Sequence, residues 1–219
     1  MTMKRNNELL LITAISALVV ASIIIIAAGG IAATWSKSDN VSAVAPSACA
    51  PESMDSFRSM GYSDVQLQAS SIPAAHRIEA IEYNGAGLLK MYIADRTICQ
   101  PEDLRTEIDK GTIIVEIANV PELADEEQEF SQTLENLNEQ VPQMKATPTK
   151  INGHNAIIWD QYLGSDTTII GNEIVREEPL PMPAGLMIWD AKAHKGYHIS
   201  GMTTAEELRT LAEGLSLSL

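Results

Sequence analysis

Few side chains in this chain have the type and spacing for chemistry. His154, His194 and His198, interleaved with Met182, Met187 and Met202, are potential ligands for copper or zinc, because imidazole suits both metals and thioether sulfur suits copper. Their spacing is irregular, however, and surface histidines with core-filling methionines account for the same residues. No metal or cofactor is therefore expected, and a copper-handling domain stands as the third of three functional readings. No serine lies in a G-x-S-x-G context, and neither a phosphate-binding glycine loop nor an H-E-x-x-H motif occurs. The expectation is a protein without catalytic activity. Trp159 and Trp189 recur in matching Ile-Trp-Asp contexts and, with Tyr197, are candidate aromatics for either a core or the wall of an apolar groove.

The elements that position these residues begin with a membrane segment. Residues 9–33 carry no charged side chain, and about 20 apolar helical residues span a hydrocarbon core of roughly 30 Å. Lys4 and Arg5 precede the run, offset by Glu8, while Lys37 beyond it is balanced by Asp39. The positive-inside bias places the N-terminus in the cytoplasm and the bulk of the chain outside. A cleaved signal peptide is the competing reading, although secretory apolar cores run only about 7 to 15 residues. The expected organisation is a short cytoplasmic N-terminus (1–8), a transmembrane signal anchor (9–33), an extended Ser/Ala/Pro-rich tether (34–51) and an extracytoplasmic domain (52–219).

From Ser36 onward the chain has 13 Lys plus Arg against 28 Asp plus Glu, a net charge of −15. Nucleic acid is excluded as an expected partner, because phosphate recognition needs clustered positive charge. Cys49 and Cys99, the two cysteines, both fall on the external side, where an even count favours a disulfide. Closing a loop of about 50 residues would add roughly 3 to 4 kcal/mol in the chain-entropy model.

Within the external domain, β-branched alternation bounded by turn residues predicts strands over 77–83, 87–94, 112–118, 147–151, 155–163, 167–175, 185–191 and 196–200. Asn84-Gly85 and Asn152-Gly153 are hairpin signals. A turn is expected at Lys195-Gly196, and the proline-rich stretch 179–183 should be an extended, stiff loop. The short connections predict a mainly antiparallel sheet. Leu123, Phe130, Leu134, Leu137 and Val141 recur at helical spacing and predict an amphipathic helix over 121–140. A final helix opens at Thr203 or Thr204 with a capping-box pattern, and Leu208, Leu211, Ala212 and Leu215 form its buried stripe. The fold class is α+β.

The segments Lys150-Ile151-Asn152-Gly153, Ile188-Trp189-Asp190, Tyr197-His198-Ile199-Ser200-Gly201 and Glu206-Glu207-Leu208 through Leu211-Ala212 resemble an uncharacterised extracytoplasmic, membrane-anchored family. There an I-N-G turn, a tryptophan strand, a Y-x-x-x-G strand and an E-E-L-x-x-[IL]-A helix follow one another. Its members are tethered outside prokaryotic membranes, and its fold is similar to that of periplasmic lipoprotein carriers and anti-sigma regulator domains. The resemblance covers about 70 residues and implies a curved antiparallel sheet wrapping a helix. The chain departs from the pattern at Gly214, where a serine is usual, and in the insert 165–183.

Two leading readings follow. The first is a membrane-tethered binding or sensing module holding an apolar ligand or a partner protein. The second is an accessory or structural subunit of a membrane complex, with the apolar helix as the main interface.

Overall fold

The computed structural model describes residue 62 and residues 65–83, 87–120, 126–170 and 173–217. The proposed anchor, tether and Cys49 lie outside the described residues, as do Asn84-Gly85 and Leu123. Among the described residues no helix is long and apolar enough to cross a membrane. The chain divides into two compact units. The larger comprises Lys37–Tyr162 and Pro183–Leu219, and the described part of the smaller is residues 163–170 and 173–182.

The larger unit is α+β, as its pattern implies. It holds a seven-stranded, wholly antiparallel sheet built from β1 (Arg77–Tyr83), β2 (Leu88–Ala94), β3 (Ile113–Asn119), β4 (Thr147–Ile151), β5 (His154–Trp159), β8 (Ala184–Asp190) and β9 (Lys195–Gly201). The strand order is β1-β2-β3-β9-β8-β5-β4. The pairing of β3 with β9 therefore joins the first three strands to the last four. β6 (Tyr162–Ile170) and β7 (Glu173–Met182) form a separate two-stranded sheet.

This corrects four expectations. The stretch 155–163 is not one strand, because Asp160 and Gln161 leave the sheet to bond elsewhere. The stretch 167–175 belongs to two strands, and the proline-rich residues up to Met182 complete β7. Pro148 lies on the edge strand β4, where a missing N–H is tolerated. The turn before β9 is Ala191–His194 rather than Lys195-Gly196.

Among the described residues three α-helices accompany the strands: α1 (Leu104–Asp109), α2 (Glu126–Gln140) and α3 (Ala205–Glu213). Alternation sends Leu89, Met91, Val115, Ile117, Leu186 and Ile199 to one face of the sheet, all fully buried. The α3 stripe of Leu208, Leu211 and Ala212 completes that core together with Leu215 and Tyr62. Both ends of α3 are held by the sheet's connections. At its start Thr204 and Glu207 form the expected capping box, and Asp160 Oδ1 accepts from the Ala205 N–H at 2.9 Å. Gln161 Nε2 donates to the Thr203 carbonyl at 2.9 Å. At its end Asn152 Nδ2 donates to the carbonyls of Glu213 and Leu215, at 3.1 and 3.3 Å. Asn152 and Gly153 have φ of 50° and 90°, the left-handed pair that a two-residue hairpin turn requires. The turn thus closes β4–β5 and caps α3 with one side chain.

The short helix α1 has no counterpart in the sequence reading. Asp103 caps it by accepting from the Thr106 N–H. The buried Glu107 carboxylate ion-pairs with Arg96 and accepts from the Glu102 N–H at 2.9 Å. Arg96 also donates to Thr112 Oγ1 at 3.1 Å. Burial opposes ionisation of Glu107, yet the Glu102 amide and the Arg96 guanidinium hold its carboxyl below the usual range. Ile108 then packs with Ala80, Tyr92, Ala94 and Ile114, on the sheet face opposite α3.

Candidate functional site

The face opposite α3 carries a linked row of ionisable side chains. Register places Glu82 of β1 opposite Lys90 of β2, Lys90 opposite Glu116 of β3, and Glu116 opposite His198 of β9. The row continues through Met187 of β8 to Ile157 of β5. Directly opposed residues share a face, so six strands contribute one transverse line, with ionisable side chains at its first four positions. The patch under α1, including Tyr92 and Ile114, flanks the row on one side over β1–β3. On the other side α2 reaches β8 and β5, with Phe130 edge-on to Trp189 at 5.7 Å and Glu127 accepting from Asn155 at 3.4 Å.

The charges in the row are linked. Lys90 Nζ lies 3.2 Å from Glu116 Oε1, and His198 Nδ1 lies 2.9 Å from Glu116 Oε2. Tyr92 Oη donates to Glu82 Oε2 at 2.5 Å. Burial would raise the Glu116 pKa, but the His198 hydrogen bond and charge, followed by Lys90, outweigh it and hold the carboxyl at about 2. Burial, reinforced by the bond to Glu82, pushes the Tyr92 hydroxyl well up, so it remains a donor. Because ionised Glu116 can only accept, His198 Nδ1 must carry the proton between them. The row stays partly accessible: the side chains of Lys90, Glu116 and His198 expose 26%, 15% and 12% of their area.

Trp159 stacks on His198 with centroids 6.0 Å apart and planes 20° apart. Its indole occupies space that only a glycine partner leaves free. A Cβ on Gly185, its cross-strand neighbour, would lie 2.1 Å from Trp159 Cζ2. Glycine in a central strand marks this close approach. Ser200, two residues beyond His198, is buried, and its hydroxyl has no hydrogen-bond partner among the described residues.

Trp159 and Trp189 lie on this same face, as the paired contexts anticipate. Tyr197 lies on the other, opposite Ile188 and Ile117, and belongs to the α3 core. The three aromatics therefore do not line one groove. The histidines are dispersed as well. His154 approaches Asp190 at 4.0 Å, and His194 sits exposed in the β8–β9 turn with φ of 51°. Among the described residues no three His, Cys, Asp or Glu side chains gather as a metal site. Cys99 follows β2, and no described cysteine is a free thiol. Its expected partner, Cys49, lies outside the described residues.

Sequence reasoning missed Glu82, Lys90 and Glu116. The available signal was a lone charge in the middle of otherwise apolar strands, Lys90 in LLKMYIA and Glu116 in IIVEIAN. Such charges require partners.

Comparison with models of known protein families, with curated proteins and with solved structures found no match.

Proposed function

We propose that the chain is a membrane-tethered extracytoplasmic binding or sensing module without catalytic activity, and that its working surface is the row Glu82–Lys90–Glu116–His198. The accessible charged row on the α1/α2 side of the sheet carries this reading. The opposite face is filled by α3 and its own side chains, which favours a partner protein recognised by charge over an apolar ligand held inside the fold. Paired charges partly exposed on a sheet provide register and specificity more than raw affinity. Residues 9–33 would hold this surface near the membrane.

The test is co-purification of the full-length protein from native membranes, beside two variants. One exchanges Lys90 and Glu116; the other replaces residues 9–33 with an unrelated span. The binding reading expects partners lost in the exchange variant and kept in the other. The accessory-subunit reading expects the reverse.

A further inference from the structure

We propose that the α1/α2 face of the sheet binds one soft monovalent metal ion, Cu(I), through His198 Nε2 and Met187 Sδ, with the Trp159 indole beside it. This goes beyond the partner-binding reading and does not depend on it. Since His198 donates from Nδ1 to Glu116, Nε2 is the ring nitrogen left to give its lone pair to a metal ion. A carboxylate accepting from the far ring nitrogen is the arrangement that fixes the tautomer and orientation of metal-binding histidines.

Met187 is directly opposite His198 across the β8–β9 ladder, so their Cβ atoms are about 4.5 to 5.5 Å apart on one face. Register thus joins two residues that their sequence positions did not relate. Imidazole with thioether favours Cu(I) over calcium or magnesium, which require several oxygen ligands. The nearest carboxylate oxygens are already engaged, Glu116 Oε1 by Lys90 and Oε2 by His198. Trp159, stacked on His198, offers a π-face to a bound cation. Glu82 and Glu116 against Lys90 leave the carboxylates of the row in excess by one, which does not repel a cation.

The test uses full-length protein in detergent micelles, under anaerobic conditions with ascorbate, loaded with Cu(I) and challenged by bathocuproine. A prior thiol assay confirms that Cys49 and Cys99 are not free thiols. The expected result is one Cu(I) retained per chain, with a drop in tryptophan emission that is absent in Trp159→Phe. His198→Gln and Met187→Leu should each weaken retention at least about tenfold, and Glu116→Leu, which keeps both metal donors but removes the acceptor that orients the ring, by about 10- to 100-fold. His194→Gln, in the exposed turn, should retain copper like the wild type. Should His198→Gln fail to fold by near-ultraviolet circular dichroism, the volume-conserving Met187→Leu decides alone. Failure to retain copper against the chelator overturns the site. So does retention undiminished in Met187→Leu, or lost only when Cys49 and Cys99 are replaced by serine.

Discussion

Replacing Gly185 with alanine tests the sheet face that carries the row. The new methyl carbon would stand 2.1 Å from Trp159 Cζ2 and 2.4 Å from Cε2. Carbon atoms settle at about 3.5 to 4.0 Å, so the ring must retreat by roughly 1.5 Å. Trp159 is only 5% exposed and stacks on His198, which limits its room to move. Overpacking of this kind costs about 1 to 3 kcal/mol. Full expulsion of the ring, at 25 cal/mol per Å² over 150 to 250 Å², would cost about 4 to 6 kcal/mol. The cheaper route prevails, so the expected loss is about 2 to 3 kcal/mol. For a domain of this size that lowers Tm by roughly 5 to 10 °C. Thermal melts of the full-length protein in detergent measure it. In Gly185→Ala/Trp159→Leu the obstructing ring is gone, so the combined loss should fall at least about 1 kcal/mol short of the sum of the single losses. A Gly185→Ala protein within about 0.5 kcal/mol of wild type, or strict additivity in the cycle, would refute the packing argument.

Other consequences can be checked with the same melts. Glu116 has a folded pKa of about 2 against 4.5 for the free side chain. Its ionisation therefore stabilises the fold fully above pH 4.5, by at most roughly 3 kcal/mol, and that gain is lost as pH falls toward 2. The stability gap between wild type and Glu116→Gln should shrink over that window; a pH-independent gap would contradict the assignment. Asn152→Ala strains the left-handed φ and removes both bonds to the end of α3, for about 1 to 2 kcal/mol. Amide exchange should quicken in the last turn of α3 before it does in β3. Arg96→Ala leaves the buried Glu107 carboxylate without its guanidinium and should cost about 3 kcal/mol, more than the double change Arg96→Met/Glu107→Met. For the proposed Cys49–Cys99 bridge, intact-mass labelling should find no free thiol before reduction, and reduction should lower stability by about 3 to 4 kcal/mol.

What could be read from the sequence was what local chemistry specifies. The Asn152-Gly153 turn, the Thr204 capping box and the Leu208, Leu211, Ala212 stripe all appear where turn residues and helical spacing put them. The break between β5 and β6 was hidden because Asp160 and Gln161 carry no turn signature. Their bonds run to Ala205 and Thr203, more than 40 positions away. Helix α1 spans six residues, too short for periodicity to register, and it is anchored by the Arg96–Glu107 pair rather than by its own pattern. The charged row was the least visible feature. Glu82, Lys90, Glu116 and His198 come from four strands, and register alone aligns them. Lone charges in the apolar strands β2 and β3 hinted that partners existed without naming them.

The most direct test of the proposed working surface is site-specific photocrosslinking in native membranes. A photoreactive residue would replace Lys90 in one full-length protein and Arg209, on the exposed side of α3, in another. The account predicts a discrete crosslinked protein partner from position 90 and none from position 209. Equal crosslinking from both positions, or none from position 90 while probes within residues 9–33 capture a partner, would contradict it and leave the apolar segment as the interface.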